Sequence, residues 1–266
     1  MQSSPSVIWR TLGALSLWVG CALAVSLSGL WLTRRFVPSA VLRSSADAVG
    51  NYLQTLGTIY AVLLAFVVFM VWQQFNDARS HVAREAHELL DLTRTVRGLP
   101  EELARPFLAA ASSYVQMVLV EEWPVMAACS QASLEQGSRI LDGIWQILIV
   151  HEPVSESHKS LYEEALARFN DLSDTRMCRL ASSRLRIPVA LRLLLYTGAV
   201  TTIGSMWLFS VDSFAVHAIM TGALAGSISH ILYVISDLDD CFNGNWQVPR
   251  TEFERVGAYL AAVRWP

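Results

Sequence analysis

The sequence predicts an all-α membrane protein. Four transmembrane helices follow a two-plus-two order, with a soluble helical insert between the second and the third. Three observations lead there. Of 266 residues, 53% are hydrophobic and only 16% are charged, whereas a soluble domain is closer to a quarter charged. Four stretches of at least 19 residues contain no Lys, Arg, Asp or Glu, and about 20 apolar residues suffice to cross a bilayer core. No segment alternates apolar and polar residues in the manner of a half-buried strand.

Taken in order, Thr11 to Thr33 is the first uncharged run. It is longer than the apolar region of a cleaved signal peptide, and Trp9 and Trp31 near its ends suit the interfacial aromatic belt. Leu17 to Cys21 only faintly follows a lipoprotein cleavage pattern, so a membrane helix is the expectation. Arg34, Arg35, Pro38 and Arg43 lie in a short connection that Pro38 should break. Asn51 to Asn76 is the second run, 26 residues without charge, and Trp72 stands near its far interface. From Gln73 to Arg97 there is no Gly or Pro, so this helix is expected to continue into water. The predicted N-terminal membrane pair is 1–76.

The insert, 77–186, is too charged for a membrane and reads as helical. Gly98-Leu99-Pro100 stops one helix, and Glu101 and Glu102 open the next with acid at its N-terminus. That helix is expected to end at Pro124. A short helix over Ser133 to Val150 and a long one over Ser155 to Leu185 follow. The long one carries Arg176, Arg179 and Arg184 toward its C-terminus, as the macrodipole favours. The segment 187–236 holds the other two uncharged runs, Leu193 to Val211 and Ser213 to Ser236, hinged at Asp212. Ala218, Gly222 and Gly226 give the last helix a small-residue face for close packing. The tail, 237–266, reads as a polar strap with one short helix near Phe253 to Val263.

The central run carries the sharpest functional signal. At 100° per residue, Thr55, Thr58, Val62, Phe66, Phe69, Gln73 and Asn76 fall on one face. That face is polar at both ends and apolar between. Copies of it around an axis would give wide polar mouths and a hydrophobic constriction, one way to gate a pore. Packing against neighbouring helices is the other reading of the same row.

Elsewhere the chemistry is sparse. Asp237, Asp239 and Asp240 follow the last membrane helix and offer hard oxygens of the kind calcium takes, but without the regular calcium-loop spacing an ordinary acidic juxtamembrane segment in water is the favoured reading. His81, Glu85 and Glu88 share a helical face without the HExxH spacing of zinc proteases. His217, His230 and Arg192 sit within or beside membrane runs, where ionisable groups are costly. Cys21, Cys129, Cys178 and Cys241 are scattered, with no zinc spacing. No nucleophile elbow, phosphate loop or dinucleotide fingerprint is present, so no enzyme is expected. A net charge of −3 gives no reason to expect nucleic acid as a partner.

Several motifs together resemble the bacterial bestrophin-like membrane family. They are Gly57, Tyr60, Ala65, Phe66 and Trp72, then Arg84, Glu85 and Ala86. Tyr114, Glu122, Trp123, Pro124 and Met126 form the middle element. Arg176, Arg179, Leu180 and Pro188 precede the third membrane helix, and Leu238, Asp239, Phe242 and Gly244 follow the fourth. The match covers about Tyr52 to Phe253. Arg192 stands where the family often has Trp, and Cys241 where it has Pro.

The resemblance implies a relation to bestrophin anion channels. Those are pentamers with a pore lined by the second helix, an apolar neck and, in animals, a calcium site built by acids after the fourth membrane segment. It therefore implies a homo-oligomeric, pentameric channel for inorganic ions, chloride among them, with no cofactor unless calcium. The expected location is the bacterial inner membrane, multi-pass in the lipid bilayer, with the insert and both termini cytoplasmic. Arginines near the membrane lean the same way, seven on the insert side against three in the first connection. Glu85 and Glu122 are expected to fix the insert by pairing with Arg176 or Arg179. The alternative is a non-conducting scaffold or sensor that binds a partner through the insert.

Overall fold

The computed structural model describes residues 5–44, 46–128, 135–153 and 155–263. Cys129 and the expected start of the short insert helix at Ser133 lie outside them. The described residues form helices and connecting turns, and no strand occurs among them. The helices are α1 (Pro5–Phe36), α2 (Ser39–Ser44), α3 (Ala46–Val96), α4 (Glu101–Met117), α5 (Trp123–Ala127), α6 (Glu135–Ile149), α7 (Glu156–Arg184), α8 (Val189–Trp207), α9 (Phe214–Asp239) and α10 (Thr251–Ala262). The chain divides into two compact units. One comprises Met1–Gln73 and Arg186–Asp239, the other Gln74–Leu185 and Asp240–Pro266.

Five stretches are long and apolar enough to cross a membrane by length and composition: Thr11–Phe36, Ala46–Val96, Glu101–Ala127, Glu156–Trp207 and Phe214–Asp239. The sequence reading expects four. The additional stretch is Glu101–Ala127, whose apolar residues Phe107, Ala111, Val115 and Val118 are buried in the core of the second unit.

In the first unit α1 packs along α9. The small-residue face of α9 receives α1: a Cβ placed on Gly222 or Gly226 would be in ordinary contact with Leu23. Small residues let helix backbones approach where no hydrophobic driving force separates protein from lipid. Trp18 meets Tyr233 with ring centroids 6.5 Å apart. At the other end, Arg34 donates to the backbone oxygen of Val211 and lies over the Phe214 ring. Arg43 pairs with Asp212 at 2.8 Å. The tight α8–α9 turn is thus held by the arginines of the α1–α3 connection, which Pro38 interrupts as expected. Tyr60 of α3 donates to the Leu195 oxygen of α8 at 2.8 Å, and its ring fills the space left by Gly198.

In the second unit the long helices bury one face each. On α7, Ala165, Phe169, Leu172, Arg176 and Arg179 recur at spacings of three and four and are all buried. Ser155 caps this helix by accepting from the His158 amide. Trp145 packs on Phe169 with centroids 5.3 Å apart.

Pro124 does not end the preceding helix, contrary to the sequence expectation. The chain instead widens into a π-helical turn, Val118–Glu122, and continues as α5. Proline lacks an amide hydrogen and its ring crowds the carbonyl four residues back. The i+5 spacing of a π-turn accommodates both conditions in place of a break.

Helical glycines with and without room should respond oppositely to alanine. Gly143→Ala, at an exposed position with nothing near its Cβ, should stabilise by about 0.5–1 kcal/mol. Gly198→Ala displaces the Tyr60 ring and should destabilise by about 1–3 kcal/mol. Thermal unfolding of the detergent-solubilised protein measures both; equal shifts would refute the packing account.

Candidate functional site

Helix α3 sorts its residues by face. Tyr60, Leu64, Val67 and Val71 pack inward, none more than 5% exposed. On the opposite side Val62, Phe66 and Phe69 are 51%, 70% and 65% exposed. Thr55, Thr58 and Gln73 are exposed along the same row, and Asn76 is partly so. The predicted row therefore lies along one uncovered face of α3 in a single copy of the chain. The hydroxyls of Thr55 and Thr58 donate to the carbonyls of Asn51 and Gln54, four residues back. That bonding satisfies the hydroxyls whether the face meets water, lipid or protein.

Inside the second unit the structure brings Glu85, Glu122, Arg176 and Arg179 together. Arg179, with no exposed surface, donates from Nε to Glu85 Oε2 at 2.6 Å and from Nη2 to Glu85 Oε1 at 3.1 Å. Its Nη2 also reaches Glu122 Oε2 at 2.5 Å, and its Nη1 lies 3.1 Å from Met126 Sδ. The guanidinium sits over the Phe253 ring, 5.7 Å from the centroid. Arg176 donates to Glu122 Oε1 at 2.5 Å and to Ser138 at 3.3 Å. Tyr114 donates its hydroxyl to Glu85 Oε1 at 2.6 Å. Two carboxylates and two guanidiniums make the set neutral.

Burial works against the charge on Arg179, but the field and hydrogen bonds of Glu85 outweigh it and hold the guanidinium above its ordinary pKa. Such a set tolerates desolvation because nearly every donor and acceptor is used. The π-turn contributes directly. It places Glu122 inward between both arginines, while Glu121 stays exposed and accepts from Gln136. Trp123 packs edge-on against Phe242, ring centroids 5.6 Å apart. Pro124 follows in the first turn of α5.

Sequence reasoning passed over Gly137. A Cβ there would collide with Glu122 Oε1, Arg176 Nη2 and Met117. An isolated glycine within a helical pattern was the available signal, since it costs helix stability and so points to a packing need.

The remaining candidates separate. Asp239 is buried; its Oδ1 accepts from the Ile187 amide and its Oδ2 from Arg192, both at 2.7 Å. Arg192 thus anchors the entry of α8 to the exit of α9. A carboxylate neutralised by a guanidinium does not suit calcium, which seeks six to eight oxygens. Among the described residues no group of three or more His, Cys, Asp and Glu is arranged to hold a metal. Asp237 and Asp240 are partly exposed. His81 Nδ1 lies 2.8 Å from Ser182 Oγ, while Glu88 pairs with Arg168, so no zinc-like set forms there. His230 is exposed and His217 fully buried.

A family model described as Bestrophin-like domain matches residues 20–253. Solved structures of a bacterial bestrophin homologue from Klebsiella pneumoniae share the fold. One point mutant is 15% identical at a TM-score of 0.69, covering 91% of this chain and 97% of that one. A second mutant is 14% identical at 0.69, covering 91% and 99%. A third structure of that homologue, phased with zinc, is 14% identical at 0.69, covering 90% and 96%. No curated protein matches the chain.

Glu122→Gln leaves a guanidinium undercompensated in a buried site and should cost about 3–5 kcal/mol. The same change at Glu101, in the exposed Glu101–Arg105 pair, should fall within error in equilibrium denaturation of the solubilised protein. Comparable losses at the two positions would refute the special role of the buried set.

Proposed function

The chain belongs to the bestrophin-like family, and from that premise we propose that it is a homo-oligomeric ion channel whose pore is lined by α3. The observation that carries this reading is the uncovered row itself. A lipid-facing helix has no use for Gln73 and Asn76, and a helix packed in one protomer would not leave Phe66 and Phe69 bare. A shared axial pore accounts for both, with Val62, Phe66 and Phe69 as the dewetting constriction and polar residues at either mouth. A pentamer is the assembly proposed.

Four spans follow from this reading: α1, the N-terminal part of α3, α8 and α9. Glu101–Ala127 stays outside the bilayer in it, because its apolar face is committed to the core around Phe107 and it carries Glu101, Glu102, Arg105, Glu121 and Glu122. The insert and termini are placed in the cytoplasm of a bacterial cell, with the spans in the inner membrane.

Anions are the proposed cargo, chloride among them. Past Asn76 the same helical phase of α3 carries Ser80, Arg84, His87, Asp91 and Arg94. Arg84 is exposed, with Glu88 Oε1 4.0 Å from its Nε. A ring of such arginines would favour anions electrostatically. No resident cofactor is assigned, and the non-conducting scaffold is the alternative that the tests below address.

Native mass spectrometry of the detergent complex should give a discrete pentamer. A monomer could not surround a pore with α3 and would turn attention to the scaffold reading. In liposomes, Phe66→Ala with Phe69→Ala should raise ion flux several-fold; absent flux in both forms would sink the channel. In planar bilayers under a chloride gradient, Arg84→Glu should move the reversal potential toward cations, and an unmoved potential would remove the argument for anions.

A further inference from the structure

We propose that α1, α8 and α9 enclose a hydrated site centred on Nδ1 of His217, with water as its ligand. His217 Nε2 lies 2.8 Å from the backbone oxygen of Met206. A carbonyl only accepts, so in the neutral ring Nε2 carries the hydrogen and Nδ1 presents a bare lone pair. That lone pair is buried and has no partner. Four further buried atoms are in the same condition: Ser26 Oγ on α1, Thr202 Oγ1 and Trp207 Nε1 on α8, and Thr221 Oγ1 on α9.

Helix register brings these positions toward one level. Thr221 lies one turn beyond His217 on α9, and Thr202 one turn before Met206 on α8, so the two share faces with the bonded pair. The two helices are joined by the turn at Asp212 and run oppositely, which sets Thr202 and Thr221 at one level. The Trp207 indole occupies the space over Gly29, where Cε2, Cζ2 and Cη2 of its six-membered ring make the contact. Ser26 precedes Gly29 by three residues on the same face of α1. Ser229, two turns beyond Thr221, is also buried without a bond but lies outside this level.

Several hydroxyls elsewhere in the first unit behave differently. Thr33, Thr55, Thr58, Thr197, Thr201 and Ser205 each donate to a carbonyl four residues back. Ser26, Thr202 and Thr221 make no such bond. A buried polar group left unsatisfied is expensive, and five together would rival the net stability of a whole domain. Something therefore satisfies them.

Its chemistry follows by elimination. Trp207 Nε1–H can only donate, and neutral His217 Nδ1 can only accept. Beside a neutral ring an anion serves the first and not the second, and a cation serves the second and not the first. Water does both, and it commonly makes about three bonds in such places. An anion beside a doubly protonated ring is the competing occupant, which the protonation state of Nδ1 decides.

The test uses the full chain in liposomes with ¹⁵N-labelled histidine. Solid-state NMR of the wild type, assigned against His217→Gln, should show an unprotonated His217 Nδ1 that receives magnetisation from water. Ser26→Ala should shift that same resonance, which secures the assignment if His217→Gln fails to fold. A protonated Nδ1, or one with no transfer from water, overturns the proposal. The sign of a stability change gives an independent check. Thr221→Val keeps the shape and removes one hydroxyl, so it should lower Tm if that hydroxyl is hydrated. A dry, unsatisfied hydroxyl would be better gone, so a raised or unchanged Tm also overturns the site.

Discussion

The second unit depends on the two bonds that Arg179 makes to Glu85 and the third it makes to Glu122. Those bonds tie α3, the π-turn and α7 to one planar group. Arginine is suited to this place and lysine is not, because the guanidinium is a rigid fork that meets a carboxylate at two points. The arrangement is not an efficient source of stability, since a well-packed apolar core would often do as well. What it supplies is register. An apolar face of α7 could slide against α3 with little penalty, whereas a forked ion pair fixes both the depth and the rotation of each helix. The widened turn before Trp123 belongs to the same constraint, because without it Glu122 would not face inward.

Helix α3 carries two sets of obligations along its 51 residues. In the first unit its inward face is committed to Tyr60, Leu64, Val67 and Val71. In the second, Val82, Glu85, Leu89 and Leu92 take up the same task. The face left over is the row for which the pore is proposed. Specificity toward ions would then lie in side chains the protomer does not need for its own folding, which leaves them free to vary without loss of the fold.

Much of this was legible in the sequence, for identifiable reasons. The uncharged runs around Val19, Leu64, Val200 and Ala225 announce themselves by composition, and the α3 row by a simple periodicity. The union of Glu85 and Glu122 with Arg176 and Arg179 was accessible as an expectation because all four stand in the motifs that carry the family resemblance. Three things were not legible. Pro124 reads locally as a stop, whereas the π-turn before it carries the helix on and leaves Glu122 buried. The carboxylate of Asp239 looks like a metal ligand until Arg192, 47 positions earlier, is found beside it. The fifth stretch apolar enough to cross a membrane by length and composition, Glu101–Ala127, was not among the expected four, because the charges of the surrounding insert hid it.

The glycines of the helices carry one more consequence, for how this sequence can drift. At Gly13, Gly20 and Gly143 a side chain would meet open space, so any small residue would serve there and descendants of this chain should wander freely. At Gly137 the absent methyl is replaced by a carboxylate and a guanidinium already in contact with each other. A side chain there must displace the ends of Glu122, Arg176 and Met117, and moving the first two disturbs their ion pair. Gly137 is therefore a position at which drift should be slow, although it lies on no face of the proposed pore.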